Sequence, residues 1–168
     1  MSEERYRIEG KIGRGGIGAV YRAFDEQLGR QVAIKRVLPQ EEGGEEHGAS
    51  QEDVSGNLLK EAKVLSTLNH PNIVTVFDVG ADAKGVFVVM ELLDGETLDE
   101  TIDRGVLALG DFEQVVVQSL EAMIAAQDID LVHRDLKPSN VMVVWLPSGK
   151  FQLKILDFGL AKFSELPS

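Results

Sequence analysis

Four glycines fall within six positions, Gly13, Gly15, Gly16 and Gly18, in the stretch IGRGGIGAV. Residues without a Cβ let the backbone come close to a phosphate, and the N–H groups left bare can point at its oxygens. A dinucleotide-binding βαβ unit requires a strand, then the glycines, then a helix. Here the glycines lead into AVYRAFD, which alternates as a strand does. That order excludes the βαβ arrangement and favours a hairpin folded over a nucleotide. Taken alone, the pattern also fits a flexible hairpin tip.

The surrounding sequence extends the β pattern. YRIEGKIGRGG and GAVYRAFD flank the glycines, and RQVAIKRVL (Arg30–Leu38) is a further strand after a turn in DEQLGR. Residues 40–56 hold six acidic residues, four glycines and no Lys or Arg, which predicts a solvated loop. His47 in that loop has no neighbouring His and reads as a surface residue. A helix follows over Asn57–Leu68, with Leu58, Ala62, Leu65 and Leu68 on one face and Glu61 beside it. NIVTVFDVGADAKGVFVVMEL then reads as two strands about a turn at Asp82–Gly85. The sum is a five-stranded antiparallel sheet with one helix, ending near Leu93.

Beyond residue 93 the pattern becomes helical. ETLDETIDRG is a short helix. GDFEQVVVQSLEAMIAAQDI is a longer one, with Phe112, Val115, Val116, Leu120, Met123 and Ile124 at helical spacing. VMVVWLPSGKFQLKIL is a hairpin turning at Pro147–Gly149. A length of 168 residues suits one domain or two small lobes. The absence of cysteine excludes disulfides and cysteine-based zinc sites. A formal charge of −11 argues against nucleic-acid binding, which needs a basic surface. The polar N-terminus carries no signal pattern, and GVFVVMELL is too short to span a membrane. A soluble, cytoplasmic protein is expected.

Three groups of residues can carry chemistry. Lys35 follows the apolar Ala33 and Ile34, on a strand just after the glycine hairpin, and is a candidate phosphate ligand. Glu61 offers it a carboxylate. The strongest signal is HRDLKPSN, His133–Asn140, read as a loop between two strands and stiffened by Pro138. It combines the carboxylate of Asp135, the ammonium of Lys137 and the carboxamide of Asn140. Phosphoryl transfer needs a proton acceptor, a positive charge and an oxygen ligand for magnesium. Asp157 supplies a second hard oxygen.

In this order, the segments IGRGGIGAVY, VAIK, HPNIV, VVMELLDGETL, HRDLKPSNV and DFGLAK resemble a eukaryotic-type (Hanks-type) serine/threonine protein kinase of the bacterial kind. The resemblance spans nearly the whole chain. It implies an α+β kinase-like fold, with an N-lobe over 1–93 and a mostly helical, incomplete C-lobe over 94–168. It implies Mg-ATP bound between the lobes, with the γ-phosphate passing to a Ser or Thr hydroxyl of a protein substrate or of the chain itself. Lys35 becomes the α/β-phosphate ligand and Glu61 its partner. Asp135 becomes the catalytic base with Lys137 beside it, and Asn140 and Asp157 become the Mg2+ ligands. Ile12, Gly13, Gly15, Gly16 and Gly18 would cover the ATP. Val20, Ala33 and Met142 would sandwich the adenine, Met90 would guard the back of its pocket, and Glu91 and Leu93 would bond it through their backbones. Leu65, Val76, His133 and Phe158 would form a column linking the lobes.

The family pattern continues past DFG into an activation segment, an APE-like triplet and further helices, none of which lies in these 168 residues. Arg134 would meet a phosphorylated residue of that segment, for which Ser164 and Ser168 are the candidates here. The helix Phe112–Ile124 would lack its packing partner, so its apolar residues, with Trp145 and Phe163, would face water. A patch of that size predicts an interface, hence a homodimer through the exposed C-lobe surface, with exchange of the C-terminal segment as one route. The alternative function is a catalytically silent nucleotide-binding module that regulates a partner.

Overall fold

The computed structural model describes residues 5–15, 18–37, 59, 63–64, 66–82, 85–105 and 107–158. They fall into two compact units. The first takes positions up to 67 together with 76–92, and the second takes 68–75 together with 93–158.

The first unit is built on strands β1 (Tyr6–Gly15), β2 (Gly18–Asp25), β3 (Arg30–Val37), β4 (Val76–Asp82) and β5 (Gly85–Glu91). They form one antiparallel sheet in the order β1-β2-β3-β5-β4. This is the five-stranded sheet expected from the alternating segments. Of the three strands flanked on both sides, β2, β3 and β5, the last two carry the longest apolar runs, Val32–Ile34 and Val86–Met90, and these are buried throughout. Tyr6, Ala23, Val32, Ile34, Phe87 and Val89 form the core against one face of the sheet.

A polar knot closes the open end of that core. Asp25, only 1% exposed, takes both Arg5 Nη2 at 2.9 Å and Arg5 Nε at 3.2 Å. Its Oδ1 also accepts the backbone N–H groups of Gln27 and Leu28, each at 3.1 Å. That pattern, with Gly29 at φ 64°, makes the turn anticipated in DEQLGR. Arg5 reaches on to Asp78 at 3.2 Å, and Tyr6 donates its hydroxyl to the same carboxylate at 2.9 Å. The Arg5 guanidinium holds the Asp25 carboxyl below the usual carboxylate range. Of the expected helix Asn57–Leu68, residues 59, 63, 64, 66 and 67 are helical. Glu61, Leu65 and the acidic 40–56 loop lie outside the described residues.

The second unit contains β6 (Glu96–Thr97), α1 (Leu98–Asp103), α2 (Leu109–Gln127), a 3-10 turn (Pro138–Asn140), β7 (Val141–Trp145) and β8 (Phe151–Ile155). The strands make a small antiparallel sheet, β6-β7-β8. Glycine is required at Gly95, where a Cβ would stand 2.4 Å from the Val143 carbonyl oxygen. α1 begins with a capping box in which Glu100 accepts the Thr97 N–H at 2.8 Å. The β7–β8 hairpin turns through Leu146 and Lys150, whose backbone bond is 2.7 Å, with Gly149 at φ 79°.

The long helix α2 buries a narrow face, Ala122 and Ala126, and lies along β8. Its larger apolar residues Leu109, Phe112, Val116, Leu120 and Ile124 are exposed, Leu109 by 83%. Spaced three or four apart, they form one stripe. The surface expected for the helix is thus present at Phe112, Val116, Leu120 and Ile124, whereas Val115 and Met123 are half-buried. Trp145 packs edge-on against Phe151, ring centroids 5.4 Å apart, and Phe163 lies outside the described residues. Among the described residues, no helix is long and apolar enough to cross a membrane.

Candidate active site

In the first unit, strand register gathers several expected ligand-facing residues on one face of the sheet. Gly13 pairs with Val20, Val20 with Lys35, and Lys35 with Val88. One step further along, Arg22 pairs with Ala33 and Ala33 with Met90. Directly paired residues share a face, and so do residues two apart on a strand. Gly13, Val20, Ala33, Lys35 and Met90 therefore look the same way. Lys35 is 2% exposed, and a buried ammonium demands an anionic or hydrogen-bonding partner. Ile12 is exposed beside this face, and Gly15 pairs with Gly18 at the hairpin end. Glu91 ends β5, paired with Val32. Gly16 and Glu61 lie outside the described residues.

In the second unit, the HRDLKPSN segment runs from the end of α2 to β7, not between two strands as the sequence pattern suggested. Proline at the first position of the 3-10 turn fits the fixed φ of its ring, and the turn carries Asn140 back over Asp135. The Asn140 amide nitrogen donates to the Asp135 carbonyl at 2.8 Å and to Asp135 Oδ2 at 3.1 Å. Lys137 Nζ stands 2.9 Å from the same Oδ2. Both donors thus load one carboxylate oxygen. Among the described residues, Oδ1 accepts no bond and is the oxygen available to an incoming proton. The Lys137 ammonium, aided by Asn140, keeps the Asp135 carboxyl below its ordinary range, so it is ionised at neutral pH. Both partners are about half exposed, 52% and 47%, so water screens their attraction. The pair orients Asp135 more than it stabilises the fold.

His133 joins this loop to the segment after β8. Its Nε2 meets the Leu156 carbonyl at 2.7 Å, and its Nδ1 accepts the Asp135 N–H at 3.2 Å. These partners require the neutral ring with the proton on Nε2. Burial pushes the His133 pKa down, in the same direction. The ring also meets Phe158 edge-on at 4.7 Å. Of the expected column, Leu65 lies outside the described residues, and Val76 is buried in the first unit. The Leu156 N–H donates to the Asn140 carbonyl at 2.8 Å. Arg134 and Asp157, the residues on either side of this seam, hold φ values of 68° and 58°. Non-glycine residues adopt that conformation at a cost, and it occurs disproportionately at functional sites.

Asn140 and Asp157 fit a magnesium ion by their chemistry. Both offer hard oxygen donors, and the Asn140 amide nitrogen is already engaged by Asp135, which fixes the amide plane. Among the described residues there is no cluster of three or more His, Asp or Glu that would hold a metal unaided. Two protein oxygens completed by phosphate and water are the usual provision for Mg2+. Met142, on β7, pairs with Thr97 and Lys154 in the second unit, and Leu93 stands half-buried at the start of that unit.

Two residues that bear on the site were not among its expected members. Asn72 and Gln118 bind the outer edge of β8 through their side chains. Gln118 is a polar interruption on the otherwise small and apolar face Val115, Ala122, Ala126. That interruption and the place of Asn72 within HPNIV are the clues the sequence offers.

Comparison with known proteins places this geometry. The protein kinase domain model matches residues 6–168. The serine/threonine-protein kinase PknA of Mycobacterium tuberculosis is 38% identical over 164 residues, covering 94% of this chain and 36% of that protein. The probable serine/threonine-protein kinase PknB of Lactococcus lactis is 38% identical over 162 residues, covering 95% of this chain and 24% of its own length. The serine/threonine-protein kinase pkn3 of Myxococcus xanthus is 36% identical, covering 96% of this chain and 28% of that protein. The fold and the loop define a protein-kinase-type domain. The chain belongs to the protein kinase family, and the relatives named here are bacterial serine/threonine-protein kinases. It spans about a third or less of their length.

Proposed function

We propose that this chain carries the ATP-dependent phosphoryl-transfer centre of a serine/threonine protein kinase. The observation that carries the reading is the Asp135 carboxylate, ionised, with Oδ2 held by Lys137 and Asn140 and Oδ1 without a bond among the described residues. Asp135 accepts the proton of a Ser or Thr hydroxyl while that oxygen bonds the γ-phosphorus and the bond to the ADP oxygen breaks. Lys137 places a positive charge beside the transferred group. Lys35 takes the α/β-phosphates, with Glu61 as its anchor. Asn140 and Asp157 would hold Mg2+, which would supply positive charge against the phosphate groups. Ile12 and the glycines Gly13, Gly15, Gly16 and Gly18 cover the nucleotide. Val20, Ala33, Met90 and Met142 receive its ring, which bonds the backbones of Glu91 and Leu93. Substrates are protein Ser and Thr residues, the chain's own included.

The test is Mg-ATP-dependent thermal stabilisation together with labelling of a generic protein substrate. Both should be present in the wild type. Lys35→Met should lose both, and Asp135→Asn should keep the stabilisation but not the labelling. Stabilisation without labelling in the wild type would instead support a nucleotide-binding module that regulates a partner.

Self-association is a second proposal, supported by the exposed stripe Leu109, Phe112, Val116, Leu120 and Ile124. A homodimer through this face should become monomeric in Leu120→Glu. A wild-type monomer by light scattering at micromolar concentration would overturn it.

A further inference from the structure

β8 is the last strand of its sheet, so one edge of its backbone has no neighbouring strand to bond. Such an edge must be satisfied some other way. Two side-chain amides and one short backbone segment do this here. Gln118 Nε2 donates to the Phe151 carbonyl at 3.4 Å, and Gln118 Oε1 accepts the Leu153 N–H at 2.8 Å. Asn72 Nδ2 donates to the Leu153 carbonyl at 3.0 Å. The Asn72 carbonyl accepts the Ile155 N–H at 2.8 Å, and the Val74 N–H donates to the Ile155 carbonyl at 3.0 Å. Every outward polar group from the Phe151 carbonyl to the Ile155 carbonyl is thereby paired. The two amides are also bonded to each other, Asn72 Nδ2 to Gln118 Oε1 at 2.7 Å.

Asn72 is buried, 4% exposed, and the His70 ring accepts its backbone N–H at 3.1 Å. Lys154, also buried, adds a bond of 3.4 Å from Nζ to the Ile73 carbonyl. Immediately beyond this braced edge come Leu156 and Asp157. Leu156 is bonded by its N–H to Asn140 and by its carbonyl to His133, whose other nitrogen holds the Asp135 N–H.

We propose that Asn72 and Gln118 are positioning residues. Their amides splint the open edge of β8 and so set where Leu156, Asp157 and, through His133, Asp135 stand. Neither residue touches the reacting groups. The bearing of this splint on turnover rests on the kinase reading above, whereas the splint itself does not.

The experiment compares wild type, Gln118→Leu, Gln118→Glu and Asn72→Ala. Amide hydrogen exchange is read by NMR without nucleotide, and phosphate transfer is read as kcat and KM for ATP. Gln118→Leu keeps the bulk but removes every bond. Exchange at Leu153, Leu156 and Asp135 should rise by about tenfold or more, while Ala122 in α2 and Ile34 in β3 keep their rates. Gln118→Glu retains the two acceptor bonds and should restore most of the protection. In the transfer assay kcat should fall about tenfold with KM for ATP within about twofold, as for loss of alignment. Asn72→Ala should give the same pattern, and it decides the matter if Gln118→Leu does not fold. Exchange that rises equally at all these amides, or at none, overturns the proposal. A wild type that transfers no phosphate but shows the local exchange pattern overturns the kinase reading and leaves the splint standing.

Discussion

The two units solve the same problem, holding polar groups in a small fold, by different means. In the first, chain reversals fall on glycine, Gly29 at φ 64° and Gly85 at φ 108°. Its buried charge is neutralised on the spot, as Asp25 is by Arg5. Among the described residues of the second unit, three that are not glycine carry positive φ, Asp130, Arg134 and Asp157. Its seams are neutral hydrogen bonds, through His133, Asn140, Asn72 and Gln118. Two of the three positive-φ residues, Arg134 and Asp157, sit where the proposed chemistry sits, which is the expected place for conformations that the rest of a fold must enforce. The first unit is organised as a platform, the second as a mounting for a few side chains.

That contrast is sharpened first at the centre of the second unit. Asp135→Asn should lower phosphate transfer by about 10²- to 10⁴-fold, the usual weight of a general base, with the far-ultraviolet dichroism unchanged. A loss below tenfold would mean that the pinned carboxylate is not the proton acceptor. In the first unit the matching cut is Asp25→Ala, which removes the buried one of Arg5's two carboxylate partners and frees the turn N–H groups. It should cost about 3 kcal/mol in urea denaturation, and a cost below about 1 kcal/mol would put the strength of that unit elsewhere.

The units should also part company with pH. His133 is held neutral, with its folded pKa below the ordinary 6.5. Its contribution to stability is present above pH 6.5 and is lost as pH falls from there toward the folded value, because the unfolded chain binds the proton more readily. Asp25 is shifted below its ordinary 3.8, so its contribution persists until pH falls below that value and on through the folded pKa. The second unit's resistance to denaturation, monitored at Trp145, should therefore weaken as pH falls below 6.5. In His133→Gln that slope should disappear.

The smallest effects concern the reversals themselves. Gly29→Ala should destabilise by about 1 kcal/mol, because alanine resists positive φ. Asp130→Gly should stabilise by about 0.5 kcal/mol for the same reason in reverse. Equal and opposite signs from those given would show that strain is not distributed as the backbone angles indicate.

Much of this was open to reading in the residues, and the limits have physical causes. The five strands announce themselves by alternation and by the apolar runs of β3 and β5. The glycine hairpin and the HRDLKPSN loop carry their chemistry in short, local spacings. Of the helix residues expected to face water, Phe112, Val116, Leu120 and Ile124 do so, whereas Val115 and Met123 are half-buried. What stayed hidden depends on long-range pairing. β6 is two residues long and has no period to detect. Residues 68–75 fall to the second unit, where Ile73 bridges to Ile155, and nothing local foretells that bridge. Gln118 looks like a surface amide until β8 lies beside it. Asp25 looks like a turn residue until Arg5 folds over it.

The most direct test of the account is the intact mass of the purified chain after incubation with Mg-ATP, beside Asp135→Asn. The account predicts added phosphate in the wild type, on itself or on an added protein substrate, and none with Asp135→Asn. Equal phosphate in both, or none on either the wild type or its substrate, would contradict it.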